Sequence, residues 1–507
     1  MIGDTLKALG RQTVVYSFGD LMVKSLSFLL IPILTRVWDA NGPEMGIYGL
    51  LHLAEAVAYL CFNLGLATAV IKVIADFKQQ RSKAAVSYTA VIILGTISLA
   101  LLACVWLAAP YISATLFRGE IDPVDGRFFL RLTFLATYLS TFRFITMSLL
   151  RVEGRPWLYT LLNVINFVTY VGVAIYLVVI ENLGVLGIVY ANLTSSIVML
   201  AIVAGLLQAR SRRPFSFGKA RSLMSFGLPL LPNGLALWAL ALLDRWLLMA
   251  LSPTREVGLV LAGQYDVAYR FGMIVSFLLV IPLRTSWVPT LFTVRDHPDA
   301  SKLYGRLITF VMAIGSIIAL GLAVLAPEII TVVTEPEWLP AAGPLPLIAF
   351  AYLAYGISQV ADAGILSKGR TWIYPFVTAT SVAVNIILCK LLIPDNGMMG
   401  AAWATLVAYV WHMLLIGWIS SSIVSLNLEW KRLMLIAAAV AAVWAGVGML
   451  PEMGLLPTIA AKVAIVAILP LLLWLTGFFS AGKFDAIGES KNDGREEVPE
   501  EVGKDEK

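Results

Sequence analysis

Apolar stretches of about 20 residues, long enough to carry a helix across a bilayer, follow one another along almost the whole chain. Short polar turns separate them. The first seven run near Thr13 to Val37, Gly46 to Val70, Ala84 to Ala109, Phe128 to Leu150, Trp157 to Ile180, Gly184 to Gln208 and Leu223 to Leu251. The second set runs near Gly258 to Leu291, Leu303 to Ala326, Gly343 to Leu366, Thr371 to Ile393, Met398 to Val424, Leu433 to Leu450 and Leu455 to Phe479. The pattern predicts an all-α polytopic membrane protein of about 14 transmembrane helices. A hydrophobic fraction of 59%, a charged fraction of 14% and a mean hydropathy of +0.85 exclude a soluble globular domain. The first span is full length and lacks a small-residue cleavage pattern, so it is expected to stay in the chain.

Every second turn is basic, from Lys78, Arg81 and Lys83 through Arg210, Arg212 and Arg213 to Lys431 and Arg432. The intervening turns are acidic or mixed, with Asp39 and Glu44, Glu181, Glu335 and Glu452 among them. Positive charge marks the cytoplasmic side, so both termini are expected there, in a bacterial inner membrane. The net charge of +5 follows from this bias and gives no reason to expect nucleic-acid binding. Cys61, Cys104 and Cys389 fall inside spans and read as packing residues.

The chain repeats itself. Gly154-Arg155-Pro156-Trp157 returns as Gly369-Arg370-Thr371-Trp372, and Gly184 to Gly187 returns as Gly397 to Gly400. Earlier in each half, Ser17-Phe18-Gly19 matches Ser225-Phe226-Gly227, and Gly46-Ile47-Tyr48 matches Gly263-Gln264-Tyr265. Each copy holds an even number of spans, so the copies share orientation and enclose a midplane site between them. The division expected is an N-terminal six-helix lobe over 1–209, a basic linker over 210–222 and a second six-helix lobe over 223–425. Two additional helices over 426–479 and a polar, disordered tail over 480–507 complete it.

Ionisable residues inside these spans point to function, because each costs roughly 2.5 to 3.5 kcal/mol at the membrane centre unless it faces a polar interior. Tyr48, His52, Glu55 and Tyr59 share one helix face, as do Asp20 and Lys24 in the first span. Tyr265, Tyr269, Asp266, Arg270 and Arg284 occupy the eighth span, and Tyr352, Tyr355, Gln359 and Asp362 the tenth. Both halves are expected to present these faces to one cavity. Asp20 with Lys24, and Asp266 with Arg270, also have the spacing of internal ion pairs that touch no substrate. Arg143 and Arg284 have no acid at helical spacing, so an anionic ligand is a candidate partner. Arg36, Arg131, Arg245 and Lys390 lie near span ends, where snorkelling to the headgroups is expected. His52 and His412 read as hydrogen-bonded interior histidines, with proton relay as the alternative. Pro229 and Pro232 should break or bend the start of the seventh span.

The run Ser225-Phe226-Gly227-Leu228-Pro229-Leu230-Leu231-Pro232, followed by Leu243-Asp244-Arg245-Trp246 and Gly263-Gln264-Tyr265-Asp266-Val267-Ala268-Tyr269-Arg270, resembles the polysaccharide transporter family. These are flippases of the multidrug/oligosaccharidyl-lipid/polysaccharide (MOP) superfamily, including the Wzx-type. The resemblance implies two lobes around a cationic cavity and outward translocation of a polyprenyl-pyrophosphate-linked oligosaccharide, a lipopolysaccharide or exopolysaccharide precursor. It points to Arg143 and Arg270 first; Arg284 and Lys24 complete the cationic cavity set expected from the charged span faces. A lipid II flippase and a cation-coupled drug exporter are the nearest alternatives. No phosphate loop, zinc-binding histidine pair or nucleophile elbow is present in the sequence, so no enzyme and no cofactor is expected. A coupled proton or sodium ion remains open, with Asp20, Glu55, Asp266 and Asp362 as available carboxylates. Polysaccharide polymerase or glycosyltransferase partners could accompany transport.

Overall fold

The computed structural model describes residues 29–75, 80–118, 121–208, 215–451 and 454–475. Among these residues the regular structure is helical throughout. The N-terminal helices are α1 over 29–37, α2 (Glu44–Asn63), α3 (Leu66–Ala75), α4 (Gln80–Leu116), α5 (Pro123–Val152), α6 (Pro156–Ile175) and α7 (Gly184–Gln208). Next in the chain are α8 (Phe217–Gly227), α9 (Leu231–Leu251), α10 (Arg255–Gly272), α11 (Ile281–Val294), α12 (Ala300–Val324) and α13 (Ala326–Val333). The chain continues through α14 (Leu345–Ala361), α15 (Ala363–Ser367), α16 (Ile373–Ile423), α17 (Trp430–Val447) and α18 (Leu455–Leu475).

Among the described residues, 11 helical stretches are long and apolar enough to cross a membrane. One of them, α16, has 51 residues, about 77 Å at 1.5 Å per residue, which is more than twice a hydrocarbon core. Gly397, at φ 52° and ψ −130°, breaks it into two crossings. With this division, α18 and the described part of the first span, the chain makes the roughly 14 crossings that the apolar pattern predicts. Outward-facing side chains such as Leu107, Trp157, Trp372, Phe376 and Trp418 are exposed, as a surface solvated by lipid requires.

The internal repeat is visible in the backbone. Gly154 and Gly369 both adopt φ 67°, and Gly184 and Gly397 adopt 54° and 52°. These left-handed conformations suit glycine and end helices in matching places. The third pair meets face to face: a Cβ on Gly263 would stand 2.9 Å from the Gly46 nitrogen, and one on Gly46 would strike the Leu259 carbonyl. Tight α2–α10 packing therefore uses equivalent glycines from the two copies. At the other end of α2, Gly65 and Gly227 close together in the same way, each leaving no room for a side chain on the other.

Helices α2 to α7 pack largely on one another, and so do α9, α10, α12, α14 and α16. Contacts of α2 with α9 and α10, and of α8 with α3 and α4, join the two groups. Pro229 interrupts the seventh span through a short 3-10 turn, Leu228–Leu230, that separates α8 from α9. The last two helices pack on each other and on α12, away from the junction of the groups. Lys462 on α18 reaches Glu328 on α13 at 2.6 Å and ties down an otherwise apolar helix.

Candidate functional site

Between the two groups lies a cavity of about 560 Å³, walled by α2, α5, α6, α7, α9, α10 and α14. It opens along α2 between the two glycine contacts. Tyr48, His52, Glu55 and Tyr59 all line it, as their spacing on one helix face predicts. The wall from α5, α6 and α7 is rich in hydroxyl and amide groups: Thr137 and Ser140, Asn166 and Tyr170, Asn192 and Ser196. Glu55 Oε1 accepts a hydrogen bond from Asn192 Nδ2 at 3.1 Å.

Arg143 reaches this wall from the middle of α5, where only 8% of it is exposed. Its guanidinium lies over the Phe144 ring at 4.3 Å and makes no ion pair among the described residues. Arg270 lines the same cavity in a different electrostatic state. Its Nε donates to Asp266 Oδ2 at 2.6 Å, which realises the internal pairing that i, i+4 spacing allows. Tyr48 faces the same guanidinium, with its ring centroid 4.7 Å away.

The reading of Arg245 as a snorkelling residue is overturned. It is 2% exposed, and it bonds Asp244 Oδ1 at 3.0 Å and Asp266 Oδ1 at 2.9 Å. The cause is topological. A turn of three residues, Ser252 to Thr254, folds α10 back along α9, so residues near the end of one helix meet the middle of the other. Asp244, absent from the expected site, completes the network by accepting the Tyr265 hydroxyl at 2.6 Å and the Thr405 hydroxyl at 3.1 Å. Two carboxylates and two guanidiniums thus neutralise one another within the wall. Its sequence signal was present in Leu243-Asp244-Arg245-Trp246, two adjacent opposite charges in an apolar span. Tyr265 is held at Asp244 behind the wall, whereas Tyr269 and Tyr352 line the cavity.

The single cavity expected for all the polar faces is also corrected. Arg284, Tyr355, Gln359 and Asp362 line a second, smaller cavity, together with Thr378 and His412. For Arg284 the reason is a change of register: α10 ends at Gly272 and a π turn over Ser276–Val280 intervenes, so spacing counted from Arg270 no longer holds. Arg284 is itself exposed on α11. His412 lies 3.3 Å from Ser381 Oγ, as an interior hydrogen-bonded histidine should. Asp20 and Lys24 lie outside the described residues. Among the described residues no cluster of histidine, cysteine and acidic side chains could hold a metal ion.

Fold and cavity define a class, that of a polytopic helical membrane transporter with pseudo-equivalent halves around a polar chamber. Residues 33–343 match the family described as polysaccharide biosynthesis protein, and the chain belongs to that family. It is 22% identical over 431 residues to the "Probable low-salt glycan biosynthesis flippase" of Haloferax volcanii, covering 84% of this chain and 86% of that one. The fold is similar to that of the lipid II flippase MurJ in an inward closed conformation, with a TM-score of 0.73 and 15% identity over 92% of this chain and 100% of that one. It is also similar to an inward-facing multidrug resistance MATE family transporter of the MOP superfamily, with a TM-score of 0.65 and 14% identity over 79% and 94% of the two chains.

Proposed function

We propose that this chain flips a polyprenyl-diphosphate-linked oligosaccharide from the inner to the outer leaflet of a plasma membrane by alternating access. The observation that carries the reading is Arg143, a buried guanidinium without an ion pair among the described residues, set in a wall of hydroxyl and amide groups. A guanidinium binds phosphate oxygens in a planar fork, and the surrounding hydroxyls and amides suit sugar hydroxyls. A volume of about 560 Å³ falls within the range of about 300–1,000 Å³ typical of small-ligand sites, so it fits a head group and its first sugars. The glycan flippase of Haloferax volcanii and the family membership support the same substrate class.

The lobes proposed are residues 1–209 and 223–425, with 426–479 as an accessory pair. The basic turns put both termini in the cytoplasm. In that orientation an anionic head moving outward, away from the negative inner side, is favoured by about 2.3 kcal/mol per charge per 100 mV. No covalent chemistry is needed. A glycosyltransferase must supply the substrate on the inner side, and a polymerase or transferase must consume it on the outer side.

A cation-coupled drug exporter would need free carboxylates in the chamber. Of the two carboxylates that line it among the described residues, Asp266 is neutralised by Arg245 and Arg270, and Glu55, hydrogen-bonded to Asn192, is balanced by the Arg143 guanidinium in the same wall, so the chamber carries no surplus of negative charge for a cationic drug. The test is depletion of the protein in its host, followed by assay of lipid-linked oligosaccharide in the inner leaflet. Accumulation that is relieved by the wild type and not by Arg143→Ala supports the proposal. Full rescue by Arg143→Ala removes the site assignment.

A further inference from the structure

The central chamber offers a ligand two different chemistries, and the direction of each hydrogen bond tells them apart. At Arg143 the protein can only donate. One turn earlier on α5 the Ser140 hydroxyl donates to the Thr137 carbonyl at 2.8 Å, and the Thr137 hydroxyl donates to the Thr133 carbonyl at 2.7 Å. With their protons engaged, both oxygens meet the chamber as acceptors. On α7, Ser195 gives its proton to Asn166 Oδ1 at 3.0 Å and is left in the same state.

Glu55 is the strongest acceptor of the set. It projects from α2 into the chamber, where its Oε1 takes the Asn192 amide proton and its Oε2 accepts no bond from the described residues. An ionised carboxylate has room for about four hydrogen bonds, so a single donor leaves it under-satisfied. Arg143 is the cation whose field reaches it, at a separation too long for an ion pair. A diphosphate on Arg143 takes that balance away. Whatever lies beside the diphosphate must then bring hydrogen-bond donors to Glu55 and no negative charge of its own, because a half-buried carboxylate tolerates neither a missing donor nor a second anion.

We infer that Glu55 selects the sugar next to the diphosphate, accepting its hydroxyl protons and rejecting an acidic sugar at that position; the inference rests on the flippase reading. A neutral hexose or N-acetylhexosamine carries several hydroxyl donors, enough to serve Glu55 together with the Ser140 and Thr137 oxygens. A hexuronic acid would set a carboxylate against a carboxylate, and like charges brought together are an effective way of excluding a wrong partner. Size plays no part in this choice. The two sugars differ at a single carbon, so the discrimination comes from charge.

The test uses three polyprenyl-diphosphate lipids in proteoliposomes holding the full-length protein. They differ only in their single sugar, which is glucose, glucuronic acid or the uncharged methyl ester of glucuronic acid. The wild type should flip the glucose lipid and the ester at rates within about threefold of each other, and the acid at least about tenfold more slowly. Glu55→Gln keeps an acceptor for Asn192 and removes the charge, so it should bring the acid to within about threefold of glucose. Glu55→Ala should do the same, and serves if the glutamine variant does not fold. Equal wild-type rates for acid and glucose, rejection of the ester along with the acid, or a preference that survives these substitutions overturns the inference and leaves the flippase reading in place. Flipping of none of the three lipids by the wild type overturns both.

Discussion

Three guanidinium groups reach the central cavity, and their surroundings set them apart. Arg245 and Arg270 share Asp266, and Arg245 also holds Asp244, so their charge is satisfied within the protein. Removing Asp266 strands Arg270 and leaves Arg245 with Asp244 alone. Asp266→Ala is expected to destabilise the protein by about 3–5 kcal/mol, the usual effect of leaving a buried charge without its partner. Arg143→Met, which keeps the bulk against Phe144 and removes an unpaired cation, is expected to change stability by about 1 kcal/mol or less while abolishing transport. Thermal midpoints in detergent, read beside a flipping assay, separate the two cases; equal destabilisation would contradict the distinction between the arginines. At this scale the sequence was readable wherever one helix carried the pattern, as with Tyr48, His52, Glu55 and Tyr59. It was not readable where partners come from different helices: nothing along α9 says that Arg245 meets Asp266 across a tight turn.

Helices here are defined as much by where they stop as by where they run. Gly154 and Gly369 hold φ 67° in equivalent turns, and a Cβ at either would meet no neighbour within 4 Å. Alanine at each should therefore cost only the backbone strain, about 1 kcal/mol, and the same amount in both halves. Unfolding of the two single variants in denaturant checks this, and a large difference between them would mean that the turns are not equivalent. The repeat that predicts this match was legible from four short landmarks. Register was harder to read. Helical spacing carried from Arg270 to Arg284 fails because the π turn over Ser276–Val280 rotates α11 relative to α10, and composition alone does not mark such a turn.

As a whole molecule, the protein holds its two helix groups together at both ends of α2, through Gly46 with Gly263 and through Gly65 with Gly227, with the cavity between. Alternating access requires these contacts to part in turn. A Cβ at position 263 would lie 2.9 Å from the Gly46 nitrogen, so any side chain there holds α2 and α10 apart. Gly263→Leu should therefore stop transport by keeping this end from closing; full transport by a folded Gly263→Leu protein would show that this end need not close. The chamber was foreseeable from buried charge, but its division from the Asp362 pocket was not, since both sets of residues lie on similar helical faces. The most direct test of the account is flipping of a purified polyprenyl-diphosphate oligosaccharide in proteoliposomes holding the wild-type protein or Arg143→Ala. The wild type should expose the lipid-linked sugar on the opposite leaflet, with Arg143→Ala at the level of empty vesicles; equal flipping by both would contradict an unpaired guanidinium as the anion contact.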